Sequence, residues 1–351
     1  MKKIHTNLID TVLKTYGKLQ FSQGSEGFDK IQKWLIKGFL PKTSFGVIYG
    51  KSDSRKSFIA IDISCAIATG TGWQNKSTEA GAVVYVAAEG QTSIPQRVRA
   101  WELTYKKKAE HLYILGQSIN VSNIEDRNNL IEAIQEIERT NDIKVEMVVL
   151  DTLARNFEGD ENSSHCMGKF ILGCDAIKTI TKASVLCIHH SGKDISKGTR
   201  GSTSLVGACD FEYQVKHDCN TNQTTFKNTK QKDAKRAPTL SFSFEAVDLD
   251  IKCEDNEPLT SLALVKPGSI KIEKTSVSKN DPLFVALNEK FGGQCTRREL
   301  RDYYAQSTIG MSSNSVTKAF SRNLETLEEL GYVSYQQRGK VPQPTDVISV
   351  A

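Results

Sequence analysis

The 351-residue chain has no run of about 18 uncharged apolar residues, which excludes a membrane-spanning helix. Its start, Met1-Lys2-Lys3-Ile4-His5, turns polar at once and lacks the apolar core of a secretory signal. The eight cysteines are scattered without a C-x-x-C pair, so neither a zinc site nor a disulfide framework is expected. Cys65 and Cys187 sit inside apolar runs and read as buried free thiols, which fits a reduced, cytoplasmic protein. Charge of one sign is also missing. Lys and Arg total 46 against 41 Asp and Glu, and the net +5 tolerates a nucleic-acid partner without requiring one. There is no internal repeat and no low-complexity tract. With 38% hydrophobic and 25% charged residues, the composition is that of a soluble globular chain of two or three domains.

What the chain does have is the octet Gly50-Lys51-Ser52-Asp53-Ser54-Arg55-Lys56-Ser57. It follows the apolar run Phe45–Tyr49 and opens into Phe58-Ile59-Ala60-Ile61. Strand, tight loop and helix with Lys-Ser in its first turn is the layout of a phosphate-binding P-loop. Backbone N–H groups at a helix start hold phosphate oxygens, a lysine reaches the β- and γ-phosphates, and a hydroxyl ligates Mg²⁺. The cradle is expected to span Gly50–Phe58. Arg55 departs from the pattern, because G-x-x-x-x-G-K-[ST] has its second glycine there. An arginine at that point needs a negative φ or bears about 1–3 kcal/mol of strain.

From Phe45 to about Val215, continuous apolar runs alternate with helical periods. Strands are expected at 82–88, 112–115, 145–150 and 184–188, and helices at 93–108, 126–139 and 164–182. Strands without polar alternation are buried on both faces, which predicts a doubly wound α/β sheet, mostly parallel, covered by helices. Ligands of such sheets bind at the carboxyl ends of the strands. Beyond 210 the pattern turns to alternating pieces at 211–216, 224–230 and 240–247, an antiparallel extension of that sheet. The expected division is an N-terminal helical segment over 1–30, a core over 31–250, a linker over 251–280 and a small domain over 281–351.

Four strand ends carry polar groups suited to phosphate chemistry. The P-loop is the first. Glu89 follows Val86-Ala87-Ala88 and is placed to polarise an attacking water, although a lone loop glutamate is more often simply solvated. Asp151 ends Val148-Val149-Leu150 and would complete the Mg²⁺ site with Ser57, its bland alternative being a cap for the next turn. His189-His190-Ser191-Gly192-Lys193 closes a further strand, where His190 would contact the γ-phosphate. Adjacent histidines on a strand face opposite ways and are a poor metal pair. In this order the four ends point to hydrolysis of ATP with Mg²⁺.

The same ordered set, with Arg200-Gly201-Ser202 after it, resembles the RecA-like P-loop ATPases. Most similar are the plasmid RepA-type hexameric replicative helicases and related phage and mobile-element ATPases of the AAA family. Trp34–Pro41 ahead of the first strand, Asp151-Thr152-Leu153-Ala154-Arg155 and Gly159–Asn162 share in the resemblance, which covers about 31–250. It implies a RecA-like core that assembles into a ring, a hexamer in that family, with each ATP completed by a basic residue of the neighbouring subunit. Arg200 and Lys232 are the two candidates. Lys230-Gln231-Lys232 is similar to the family's trans-acting pair, with lysine where arginine is usual; on an edge strand such lysines also simply discourage aggregation.

In rings of this kind the loops at about 153–165 and 192–204 face a central channel. Lys193, Lys197 and Arg200 lie among Gly and Ser in the second loop and suit backbone contact with single-stranded DNA, or form a plain solvated loop. The tail resembles a winged helix-turn-helix, with helices at 282–291, 297–305 and 313–330 and a wing through Arg338-Gly339-Lys340. Its third helix would present Lys318 and Arg322 to DNA. Residues 281–351 carry eight Lys/Arg against eight Asp/Glu, so a protein contact, such as a replication protein, competes with DNA. Three readings of the whole stay open: an ATP-driven DNA motor, an ATP-switched replication initiator or regulator without translocation, and a recombinase.

Overall fold

The computed structural model describes residues 14–192, 198–265, 282–307, 313–329, 332–335 and 343–350. The chain divides into two compact units, Met1–Ser269 and Ile270–Ala351.

The first unit is built on an eight-stranded sheet. Its parallel part holds β5 (Phe45–Gly50), β6 (Ala82–Ala87), β7 (Leu112–Leu115), β8 (Val145–Asp151), β9 (Ser184–His190) and β10 (Phe211–Asp218). β11 (Gln223–Gln231) and β12 (Leu240–Phe242) extend it antiparallel beyond β10. The order across the sheet is β12-β11-β10-β5-β9-β8-β6-β7. The P-loop strand β5 therefore lies between β9 and β10, one strand away from β8 with Asp151. Alternation along each strand divides the core in two. Val83, Tyr85, Met147 and Val149 face one side, with Ile59, Ile63 and Cys65 of α1 (Lys56–Thr69) and Trp101 of α2 (Ser93–Tyr105). Val84, Val86, Val148 and Leu150 face the other. There they meet Leu130, Ile131 and Ile134 of α3 (Ile124–Asn141) and Met167, Phe170, Cys174 and Ile177 of α4 (Ser164–Thr181). Burial on both faces is why these strands read as unbroken apolar runs. A short helix α5 (Thr203–Ala208) precedes β10.

The termini of this unit differ from expectation. Residues 1–13 lie outside the described residues, and 14–30 hold no helix. They form instead a small hairpin, β1 (Lys14–Tyr16) and β2 (Leu19–Phe21), turned at Gly17-Lys18. Its lysine, threonine and aromatic residues suit short extended pieces better than a helical turn. A second small pair, β3 (Trp34–Ile36) and β4 (Leu40–Pro41), leads into β5. The run expected as one strand over 240–247 breaks at Ser243. β12 stays on the main sheet, while β13 (Phe244–Lys252) pairs with β14 (Pro258–Leu264) in a separate hairpin. Leu249 and Ala263 of this hairpin pack on Ala100 of α2, so 251–264 is structured against the core rather than a linker. Apolar alternation in β14, read as one short strand, is what anchors it.

The second unit has α6 (Pro282–Val285) running on as a π-helical turn (Ala286–Lys290), β15 (Gln294–Thr296), α7 (Arg297–Ser307), α8 (Ser313–Glu329), β16 (Val333–Tyr335) and β17 (Val347–Val350). Three antiparallel strands stand in the order β15-β17-β16. The Thr296 and Glu299 side chains bond back to each other's backbone N–H, a capping box that starts α7. Leu300, Val316, Phe320, Leu324, Leu327 and Ile348 make the core. The hairpin tip at 336–342, with Arg338-Gly339-Lys340, lies outside the described residues.

Candidate nucleotide site

Gly50 ends β5 because nothing larger fits: a Cβ there would lie 2.3 Å from the Val215 carbonyl oxygen and 2.7 Å from Ser54 Oγ. Its own carbonyl accepts from Ser191 N–H at 3.0 Å, which ties the loop to the end of β9. Lys51, Ser52 and Asp53 are exposed, while Ser54 is buried. Arg55 then adopts φ 72°, ψ 17° ahead of α1. The arginine thus takes the left-handed conformation a glycine would supply, at a cost of about 1–2 kcal/mol. Its guanidinium lies 5.8 Å from the centre of the Phe58 ring and 5.6 Å from that of Phe244 on β13. Cation–π contacts of this kind contribute about 0.5–1 kcal/mol each, enough to offset most of the strain.

Lys56 is buried at the first turn of α1. Its Nζ donates to the Lys51 carbonyl at 2.6 Å and to Ser54 Oγ at 3.4 Å. Burial lowers its pKa, against the opposing charges of Asp151, Asp53 and Glu89. Asp151, 3% exposed, receives a 2.6 Å hydrogen bond from the Tyr85 hydroxyl and a further one from Ser57. Burial raises its pKa, and those two hydrogen bonds together with the charge of Arg97 work the other way. The fold thus brings the P-loop hydroxyl to the strand-end carboxylate. Two hard oxygen donors side by side, one anionic, fit Mg²⁺, which keeps several waters and takes few protein ligands. Consistent with so sparse a donor set, no group of three or more His, Cys, Asp or Glu converges among the described residues.

Glu89 stands just past β6. Its Oε1 accepts from Thr152 Oγ1 at 3.2 Å and from Arg155 Nε at 3.1 Å, and the side chain is about half exposed. The two histidines divide as a strand requires. His189 is fully buried, with Nε2 at 2.8 Å from the Arg200 carbonyl. His190 pairs in register with Gly50 and is partly exposed. Burial, then the charges of Lys56 and Arg200, lower its pKa, so the imidazole is neutral near pH 7.

The two candidates for a trans-acting cation are held differently. Arg200 is clamped within its own chain, with Nε and Nη2 at 2.7 and 3.0 Å from the two Glu161 carboxylate oxygens. Burial works against the ionised Glu161, but the Arg200 hydrogen bond and nearby positive charge prevail and hold its pKa low. Lys230 is also occupied, donating to the Val206 and Gly207 carbonyls at 2.6 and 3.0 Å, near the end of α5. Lys232 is 60% exposed, with only Asp210 at 3.7 Å. Lys193 and Lys197 lie outside the described residues. Lys318 and Arg322 fall on α8, with side chains that also lie outside them.

Several members of the site carry no signal in the linear sequence. Tyr85 reads as an ordinary strand aromatic, and only its place beside β8 brings its hydroxyl to Asp151. Arg97 lies mid-helix, yet its guanidinium sits 4.3 Å from the centre of the Phe58 ring. Glu161, partner of Arg200, is one of several acids in a loop. Arg155 alone had a visible cue, its place in Asp151-Thr152-Leu153-Ala154-Arg155.

A family model described as an AAA domain (AAA_25) matches residues 13–196, just over half of the chain. The chain belongs to this family. Its P-loop, Asp151 and Glu89 all lie within the matched stretch, and the family brings with it an ATPase domain that binds nucleotide, usually with Mg²⁺. The resemblance to RecA-like P-loop ATPases read from the motifs agrees with it. No curated protein sequence matches this one. Among solved structures, the ATPase domain of a helicase is 12% identical with TM-score 0.47, over 62% of this chain and 89% of that one. The RadB recombinase is 13% identical with TM-score 0.42, over 57% of this chain and 87% of that one. These two likenesses are too distant to carry activity or partners across.

Proposed function

We propose that the protein is an ATP-hydrolysing DNA motor, resembling replicative helicases of plasmids, phages and integrated elements, that works as a ring on single-stranded DNA. The observation that carries the hydrolytic part is the convergence of Lys56, Ser57, Glu89, Asp151 and His190 at the carboxyl ends of β5, β6, β8 and β9. In this reading the loop from Gly50 to Phe58 cradles the phosphates with its backbone, and Lys56 neutralises their charge. Ser57 and Asp151 hold Mg²⁺, which when bound supplies Lewis-acid stabilisation of phosphate charge. Glu89 orients the attacking water and accepts its proton once Arg155 releases it. Neutral His190, beside Gly50, offers a hydrogen bond where the γ-phosphate ends.

A neighbouring subunit adds a cation at the boundary. The lighter hold on Lys232 favours it over Arg200, whose guanidinium already has a carboxylate. The loop with Lys193, Lys197 and Arg200 meets the DNA backbone. The second unit acts as a winged helix that contacts DNA through α8, with Lys318 and Arg322, or docks a replication protein.

The test is ATP turnover with and without single-stranded DNA, on the wild type and Lys56→Ala. The motor reading expects turnover that rises with DNA and is lost in the variant. A strand-displacement assay with Glu89→Gln as control then separates motor from switch. ATP-dependent binding without unwinding would favour the initiator reading, for which the strained, charged loop at Arg55 is the supporting feature. Open filaments in place of closed rings in particle images would favour the recombinase.

A further inference from the structure

Arg55 and Arg97 come from different elements, the P-loop and α2, yet both guanidiniums gather at Phe58, the residue after the Mg²⁺-suited Ser57. Phe244 packs edge-on to the same ring at 5.9 Å and takes a share of Arg55. Among the described residues neither arginine has a carboxylate within ion-pairing distance, whereas the nearby Arg99 is paired with both Glu102 and Asp250. Both are only partly exposed. Two cations stripped of some of their water, without counter-charge, at the start of a helix whose own dipole is positive there, form an unbalanced electrostatic arrangement. The aromatic rings support the guanidinium planes and relieve only part of that cost. Arg97 also stands near enough to Asp151 and Tyr85 for its charge to favour their ionised forms.

We propose that Arg97, with Arg55 beside it at Phe58, forms a second anion-binding element of the nucleotide site, built within one chain, in which Arg97 contacts the terminal phosphate of a nucleoside triphosphate. This rests on the ATP-binding reading and deepens it. The arginine in place of glycine then has a use: it adds charge to the cradle, and the rings that hold it make its backbone conformation tolerable. Arg97 supplies a planar, two-pronged donor, which lysines 56 and 232 cannot.

The experiment is calorimetric titration of the full chain with a non-hydrolysable ATP analogue and with ADP, each with Mg²⁺. Arg97→Met keeps the aliphatic stem on Phe58 but removes the charge, and Arg97→Lys restores a point charge. Arg97→Met is expected to weaken the triphosphate analogue by about 10–100-fold, the size of a lost charge-assisted hydrogen bond, while ADP affinity changes far less. Arg97→Lys should recover part of that loss. Arg55→Gly is expected to weaken both nucleotides by similar factors, since its charge is not aimed at the last phosphate alone. A merely structural Arg97 would lower both affinities together and leave their ratio unchanged, and that result in a wild type that discriminates would overturn the proposal alone. A wild type that binds neither nucleotide, and behaves as Lys56→Ala does, would overturn the ATP-binding reading as well.

Discussion

The two compact units bury polar groups in opposite ways. The first buries Lys56, Asp62, Asp151 and His189, each in the sheet or in the helix that follows the P-loop. The second, among the described residues, buries one charged side chain, Asp346, and otherwise a uniform apolar core around Phe320. Asp346 is a local turn cap, accepting from Gln343 N–H at 2.7 Å. Buried charge costs free energy unless it is matched, and a fold retains it where something else is gained. In the first unit that gain is chemistry at the strand ends. In the second unit the interior serves packing alone, so any function rests on its surface.

Three changes test this contrast. The largest effect is expected from Glu89→Gln, which keeps the shape of the loop but removes the base. Turnover should fall by about 10²–10⁴-fold while nucleotide affinity stays near that of the wild type. A loss of affinity as large as the loss of rate would move Glu89 from water activation to the phosphate cradle. Single-turnover phosphate release beside equilibrium binding separates the two.

Next is Phe320→Ala in the second unit. Phe320 is fully buried, and its removal should cost that unit about 3–5 kcal/mol. Scanning calorimetry should show one transition moving down while the other holds, with ATP turnover in the absence of DNA unchanged. A shift of both transitions together would show that the units do not fold separately and would break the comparison.

The smallest and most diagnostic change is Asp62→Asn. Asp62 lies on α1 behind the P-loop and accepts from Trp73 Nε1 at 2.7 Å. Burial pushes its carboxyl up to about 7, despite hydrogen bonds from Trp73, Trp101 and Tyr105 that favour the ionised form. An unfolded aspartate titrates near 4. Between those values the folded chain keeps a proton that the unfolded chain has released. Stability from this group is therefore present below about pH 4 and declines as pH rises towards 7. Asparagine cannot titrate, so the variant's melting temperature should change less between pH 4.5 and 7.5 than that of the wild type. Identical slopes would mean that Asp62 is ionised throughout.

The sheet was legible because its strands are buried on both faces. A run such as Val145–Leu150 has no polar alternation to mislead, and a polar residue after it marks a strand end. Glu89, Asp151 and His190 could be picked out for that reason. The N-terminal hairpin was not legible, because Lys14–Phe21 buries nothing that would impose a clear period. The hairpin of β13 and β14 was half hidden, since its anchor on α2 is a contact made across more than a hundred residues. Arg55 is the instructive case. Its identity announced a conflict with the P-loop pattern, but the sequence left open whether the backbone would avoid the left-handed region or accept it.

Composition and order along the chain by themselves determined a parallel α/β core, a phosphate loop at Gly50–Ser57 and the acids that follow two of its strands, because strand burial and helix starts are local properties of sequence. Only the tertiary structure decided that Tyr85 and Ser57 meet at Asp151, that Glu161 holds Arg200, and that Arg55 and Arg97 share Phe58. Those pairs join residues far apart along the chain, and their geometry is set by strand order and helix packing, which no short stretch of sequence encodes.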